Sequence, residues 1–202
     1  YKISLSAADQ FTDNPEVSTF AGSSSYGSTN GTGTAAKFYS PYAITRVGSN
    51  FYVADMDNHV IRKIVISTGA VTTLAGYAGS QGSTNGTGTS ARFKYPRGIT
   101  TDGTNLYVVD MHMIRKIVIS TGAVTTVAGS TSNGSTNATG TSARFYYPWA
   151  ITTDGTNLYV ADRNNHRIRK IVISTGAVTT LAGSSRGFSD ATGTSAKFNY
   201  PS

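Results

Sequence analysis

The chemically richest side chains of this chain recur at matched positions. His59, His112 and His166 could ring a metal ion, since neutral imidazole is a common metal ligand. Asp55, Asp110 and Asp162 stand shortly before them, and Arg62, Arg115 and Arg169 follow each histidine by three residues. Yet every member returns in each unit of a repeated pattern. An active site is needed once, so a carboxylate and a guanidinium in every unit are most simply a structural pair or a turn brace. Serine, histidine and aspartate are all present, but no G-x-S-x-G elbow or comparable arrangement accompanies them. The expectation is no catalytic residue, no metal site, no cofactor and no enzyme.

The elements that carry these residues are organised around Lys63–Thr73, KIVISTGAVTT, which returns letter for letter at Lys116–Thr126 and Lys170–Thr180. Leading prolines Pro41, Pro96, Pro148 and Pro201 are spaced by 55, 52 and 53 residues. Within a unit the order is fixed: a YP or SP lead-in, AIT or GIT, a DGTN-type turn, LYV-D, IRKIVIST, GA, VTTLAG, and a connector rich in Gly, Ser and Thr. That gives four short β-branched or aromatic runs between turn residues, hence four strands per unit. Four strands at such a period predict a propeller blade.

The motif points the same way. YVADMDNHVIRKI (Tyr52–Ile64) and YVADRNNHRIRKI (Tyr159–Ile171) resemble NHL repeats, whose Asn-His-Leu core is matched by Asn58-His59-Val60 and Asn165-His166-Arg167. The resemblance covers nearly the whole chain. It implies an all-β β-propeller of four-stranded blades, and a histidine that belongs to the repeat and packs its loop. It does not imply a single function, because such wheels include protein-binding, RNA-binding and a few lyase or hydrolase members.

The expected organisation is one propeller domain. Residues 1–22 form the second half of a blade, because Tyr1–Ser6 matches Arg62–Ser67 and Val17–Gly22 matches Val71–Gly76, with an insertion across Ala7–Glu16. Blades follow at 41–76, 96–129 and 148–183, and 184–202 is a connector into a further blade. About three and a half blades leave both end faces of the arc uncovered, so the expectation is part of a six-bladed or longer wheel, or closure against other copies.

Composition bounds the class. Hydrophobic residues make up 38% of the 202 and charged residues only 13%, which suits a turn-rich β protein able to bury a core. There is no cysteine, so disulfides and thiolate metal sites are excluded. No apolar run approaches the roughly 18 residues of a membrane-spanning helix. Seventeen basic against ten acidic residues give a net charge of +7, which permits an acidic partner without naming one. The chain opens on Tyr1 rather than Met, which fits a removed or omitted N-terminal segment.

Differences among near-identical units carry the binding prediction. They fall after the leading proline (Tyr42, Arg97, Trp149), two residues before it (Tyr39, Lys94, Tyr146, Asn199), and between the second and third strands, where Arg163 and Arg167 stand in the last unit. Strand alternation puts these loops on one face of the disc. The opposite turns barely vary, as DGTN at Asp102–Asn105 and Asp154–Asn157 shows. Tyr39, Tyr42, Arg97, Tyr146, Trp149, Arg163 and Arg167 are therefore the candidate binding residues, of types enriched in interaction hot spots.

Asn30, Asn85 and Asn137 fit N-x-[ST] in successive connectors, as does Asn133, although Asn-Gly is also a turn dipeptide. Sugars there would stand on the variable face of an exported protein, and connectors so rich in Gly, Ser and Thr suit exported microbial proteins. The expected function is a non-catalytic, extracellular or cell-surface binding or scaffold module engaging protein or glycan, or further copies of itself. The alternatives are RNA binding, for which aromatics interleaved with arginine would suit stacking, and part of a lyase or hydrolase whose catalytic residues lie outside this segment.

Overall fold

The computed structural model describes residues 16–202, and β-strands dominate them. The first sheet contains β1 (Gly31–Thr32), β2 (Pro41–Val47), β3 (Asn50–Asp55), β4 (Val60–Val65) and β5 (Ala70–Ala75), all antiparallel in the order β1-β5-β4-β3-β2. The second contains β6 (Gly86–Thr87), β7 (Pro96–Thr101), β8 (Asn105–Asp110), β9 (Met113–Val118) and β10 (Ala123–Gly129), in the order β6-β10-β9-β8-β7. The third runs β11 (Ile151–Thr153), β12 (Asn157–Asp162), β13 (Arg167–Val172), β14 (Val178–Ala182). Register follows the sequence repeat: Tyr52 faces Lys63, Tyr107 faces Lys116 and Tyr159 faces Lys170.

The second sheet is apolar on both faces because it lies between the other two. Tyr52, Ala54, Ile61 and Ala75 of the first sheet pack on Ile99, Leu106, Val108, Ile117 and Val124 of the second, sealed by Ala91 and Phe93 of the connector. Tyr107, Val109, Ile114 and Ala128 repeat that contact against Leu158, Val160, Ile171 and Val178, sealed by Ala143 and Phe145. Alternation with period two thus serves two interfaces at once, which is why so few strand positions are free to be polar. Toward the chain's beginning, Phe20, Phe38, Tyr42, Ile44, Phe51 and Val53 line an open hollow of about 610 Å³ on the outer face of the first sheet.

Two expectations change. Val17–Gly22 forms no strand; its ladder partner was expected at Tyr1–Ser6, which, like Ala7–Pro15 of the insertion, lies outside the described residues. Gly22 N–H still donates to Gly33 O at 3.1 Å, the bond that Gly76 makes to Gly88 and Gly183 to Gly193, so the segment keeps its place in the repeat. The connectors, expected as loops, each run past the outermost strand of the sheet they lead into. Gly31–Thr32 pairs with Ala70 and Val71, Gly86–Thr87 with Ala123 and Val124, and Thr139 bridges Ala177. A 3-10 turn then sends the chain inward to the first strand. The strap gives the outer strand partners along part of its edge.

Candidate ligand-binding face

The loops that make the variable face are fixed from below by the repeated charged pair. Asp55 Oδ1 accepts from Tyr39 N–H at 2.7 Å, Asp110 from Lys94 at 2.6 Å and Asp162 from Tyr146 at 2.8 Å. The other carboxylate oxygen accepts from Arg62, Arg115 or Arg169 at 3.0, 2.8 and 2.8 Å, with both side chains fully buried. Each arginine also donates Nη1 to a backbone carbonyl of the lead-in loop (Lys37, Arg92, Arg144). Its Nη2 reaches the strap, at Thr29, Thr84 or Thr136 O and at Asn30, Asn85 or Asn137 Oδ1. A phenylalanine ring, Phe38, Phe93 or Phe145, lies about 5 Å from the guanidinium. One buried cation therefore ties the outer strap, the lead-in loop and the second strand of every sheet.

Burial raises the carboxyl pKa of all three aspartates, most clearly at Asp110, which is pushed up to about 7 against the pull of the Arg115 guanidinium. A local difference accompanies this. Asn58 and Asn165 donate Nδ2 to Asp55 and Asp162 at 2.8 Å, whereas the second unit is two residues shorter here and Asp110 has no such donor.

The histidines couple one unit to the next. His59, His112 and His166 accept at Nδ1 from the backbone N–H of Tyr95, Tyr147 and Tyr200, at 3.3, 3.2 and 3.1 Å. Their ring edges meet the same tyrosine rings, with centroids 4.6–4.8 Å apart. These tyrosines directly precede the leading prolines and sit in the left-handed region, φ 56°, 47° and 51°. A bulky residue before proline is ordinarily extended, so the histidine latch and the packing around it hold a conformation the local sequence disfavours. Burial lowers the pKa of all three imidazoles and favours the neutral form the latch requires. Among the described residues, no group of three or more His, Cys, Asp or Glu is placed to hold a metal ion.

On this base the structure gathers four of the seven candidates. Tyr42 meets Trp149 edge-on at 5.4 Å between centroids. Arg97 and Arg163 both approach the Trp149 ring, at 4.8 and 4.7 Å. Arg163 also lies 4.8 Å from Tyr200, Arg186 lies 5.4 Å from that ring, and Arg97 lies 5.9 Å from Tyr147. Arginine and aromatic rings from consecutive units thus alternate along the face. Tyr147, Tyr200 and Arg186 were not among the candidates: the two tyrosines read as part of the repeated YP lead-in and Arg186 as a connector tip. The other three candidates go elsewhere. Tyr39 stacks on exposed Tyr26 at 4.8 Å, Tyr146 packs beside Tyr147 and His112, and Arg167 donates to Ser184 O and Ser135 O, bracing two connectors.

The cluster needs close approach of the innermost strands. Gly98 N–H donates to Trp149 O at 3.2 Å, and a Cβ at Gly98 would sit 2.7 Å from that oxygen. The equivalent positions, Ala43 and Ala150, carry a methyl, so only the middle unit needs glycine here.

The constancy of the opposite face proves to have a structural cause. Asp102 accepts from the N–H groups of Thr104 and Asn105 at 2.9 and 2.6 Å and from the Tyr107 hydroxyl at 2.9 Å; Asp154 repeats the set with Thr156, Asn157 and Tyr159. The case for a binding face therefore rests on the cluster itself. The asparagines of the three sequons are displaced from their expected position as well: Asn30, Asn85 and Asn137 lie at the outer edge of the sheets, where Thr73, Thr126 and Thr180 also donate to them, and not on the variable face.

Sheets packed face on face with their first strands innermost define an all-β partial propeller. An NHL repeat profile matches residues 145–171, which include the latch histidine His166 and the buried pair Asp162–Arg169. The chain is 33% identical over 146 residues to NHL repeat-containing protein 2 of Homo sapiens, covering 66% of this chain and 20% of that protein. With the Bos taurus protein of the same name it shares 34% identity over 144 residues, 64% of this chain and 20% of the relative. A Bacteroides thetaiotaomicron structure with a provisional phosphatase assignment superposes with a TM-score of 0.55 at 22% identity, over 68% of this chain and 34% of that one. Residues 145–171 thus carry an NHL repeat, and the chain spans about a fifth of the length of the curated relatives it matches.

Proposed function

We propose that this segment is a non-catalytic binding module, acting outside the cell or at its surface, that engages protein or glycan through the face bearing Tyr42, Arg97, Trp149 and Arg163. The observation that carries the reading is the convergence of these four side chains from three successive units, with Arg97 and Arg163 forming no ion pair among the described residues. Tyrosine, tryptophan and arginine so arranged are the side chains that dominate binding energy in interfaces. The chemistry of the repeated groups supports a non-catalytic role, since Asp55, Asp110 and Asp162 spend their oxygens on backbone and arginine donors. Export is supported by Asn30, Asn85 and Asn137, exposed and with only Oδ1 engaged, which leaves Nδ2 for a sugar.

The test is binding of the natural-source protein to panels of extracellular proteins and glycans, beside Y42A/W149A and a control altered on the opposite face, D154A. Loss of binding in the double variant with retention in the control is the expected result. Equal binding by all three sinks the assignment of the face, and an intact mass unchanged by amide-glycosidase treatment removes the glycan support for export.

A further inference from the structure

Two populations of arginine occupy the described residues, and they differ in what balances the charge. Arg62, Arg115 and Arg169 are fully buried and each has a carboxylate within 3.0 Å. Arg97 is half-buried, and its Nε and Nη1 are closed off from solvent with no hydrogen-bond acceptor. Its contacts are with aromatic rings, Trp149 at 4.8 Å and Tyr147 at 5.9 Å. Burial lowers its pKa, so the charged form is under-solvated where it stands. Nη2 is neither closed off nor bonded among the described residues. Arg163, on the far side of the same interaction chain, bonds weakly to Asn164 Oδ1 at 3.3 Å.

A guanidinium held in this way has no carboxylate in ion-pair contact among the described residues, Asp57 and Asp110 acting on it only from farther off. A desolvated cation already oriented by flanking rings loses little conformational freedom when it meets an oxyanion, and charge-assisted bonds from arginine are strong. The remaining surface narrows the ligand. Trp149 is engaged by two guanidinium groups and the edge of Tyr42, and Tyr95, Tyr147 and Tyr200 by the latch histidines. Within this cluster few ring faces remain for a succession of bases, which single-stranded nucleic acid recognition uses. Tyr42, 41% exposed beside this cation, provides one ring for one sugar.

We propose that Arg97, assisted by Arg163, is the receptor for an oxyanion on an acidic sugar, with Tyr42 against the pyranose. The shared chemistry is a carboxylate, sulfate ester or phosphate ester on a pyranose; the inference rests on the reading of this face as a binding surface. Trp149 is the only tryptophan in the chain and touches both arginines, so its emission reports the site directly.

The experiment titrates glucuronate, N-acetylglucosamine 6-sulfate and glucose 6-phosphate separately into the protein, with glucose and single-stranded oligouridine as comparisons, and follows Trp149 emission. A saturable change with at least one acidic sugar, none with glucose, and affinity reduced about tenfold or more in R97Q is the expected result; which sugar responds identifies the anion. Far-ultraviolet circular dichroism of R97Q and R163Q checks folding, and R163Q, at a half-buried position without an ion pair among the described residues, provides a second variant that should weaken the same sugar. The proposal is overturned by silence toward all three acidic sugars at millimolar concentration, by a response only to oligouridine, or by R97Q and R163Q variants that bind as tightly as the parent. Silence here together with binding of a neutral partner through Tyr42 and Trp149 would overturn this inference and leave the binding module standing.

Discussion

Beneath the loops and upon them the protein uses the same side chain for opposite ends. In the interior, Arg62, Arg115 and Arg169 repeat one set of partners three times: a carboxylate, a lead-in carbonyl, a strap carbonyl, a strap asparagine and a phenylalanine ring. On the face, Arg97 and Arg163 meet mainly aromatic rings, each in a different arrangement. A buried cation held by a carboxylate is a structural element, even with its Nε left without an acceptor. A cation whose compensation is only partial keeps the capacity to recruit an anion. Balance of charge, and not residue type, separates scaffold from candidate site.

The contrast can be broken most directly at its structural end. D162A leaves Arg169 buried without its carboxylate and Tyr146 N–H without its acceptor, so a loss of about 3–5 kcal/mol in urea unfolding is expected. A loss below about 1 kcal/mol would mean that the buried pair is not what ties strap, loop and strand together.

The latch lies between the two regions and should cost less. H112A removes the Nδ1 acceptor of Tyr147 N–H, and a loss of about 1 kcal/mol is expected at neutral pH. The folded-state pKa of His112 lies below the ordinary 6.5 because burial disfavours the imidazolium. The unfolded chain therefore binds more protons as pH falls below 6.5, and the histidine's contribution, complete above that pH, is lost as pH drops through the folded value. The stability gap between parent and H112A should accordingly narrow from pH 7 to pH 5. A gap that widens on acidification would show the ring protonated in the fold and the latch misassigned.

The smallest effect belongs to the face. R163A removes two partly exposed cation–π contacts, so less than about 1 kcal/mol of stability should go, while the emission of Trp149 shifts. A loss as large as that of D162A would make Arg163 a structural arginine and erase the distinction between the two regions.

Much of the architecture was legible in the letters. Three copies of KIVISTGAVTT place three sheets, because a strand packed against the equivalent strand of its neighbour meets the same surroundings each time and keeps the same residues. The pairing of Asp55, Asp110 and Asp162 with Arg62, Arg115 and Arg169 could be anticipated from their recurrence, since a charged pair needed in every unit is structural. The straps at Gly31–Thr32 and Gly86–Thr87 were not legible: Gly and Thr in a connector read as loop, and two residues become a strand only where an outer edge offers hydrogen bonds.

For the candidate site, the sequence by itself determined the side-chain types, their absence from the repeated set and their common face, because strand alternation fixes which turns share a side. Only the tertiary structure decided which of them meet. Tyr95, Tyr147 and Tyr200 adopt a left-handed conformation that a residue before proline avoids, and they do so beside histidines 34–36 positions earlier in the chain, which no local rule contains. The approach of Gly98 to Trp149 brings Arg97 and Trp149 together while Arg167 turns to brace connectors. Contacts between units depend on how sheets pack, and packing is a property of the assembled surfaces rather than of any one stretch of chain.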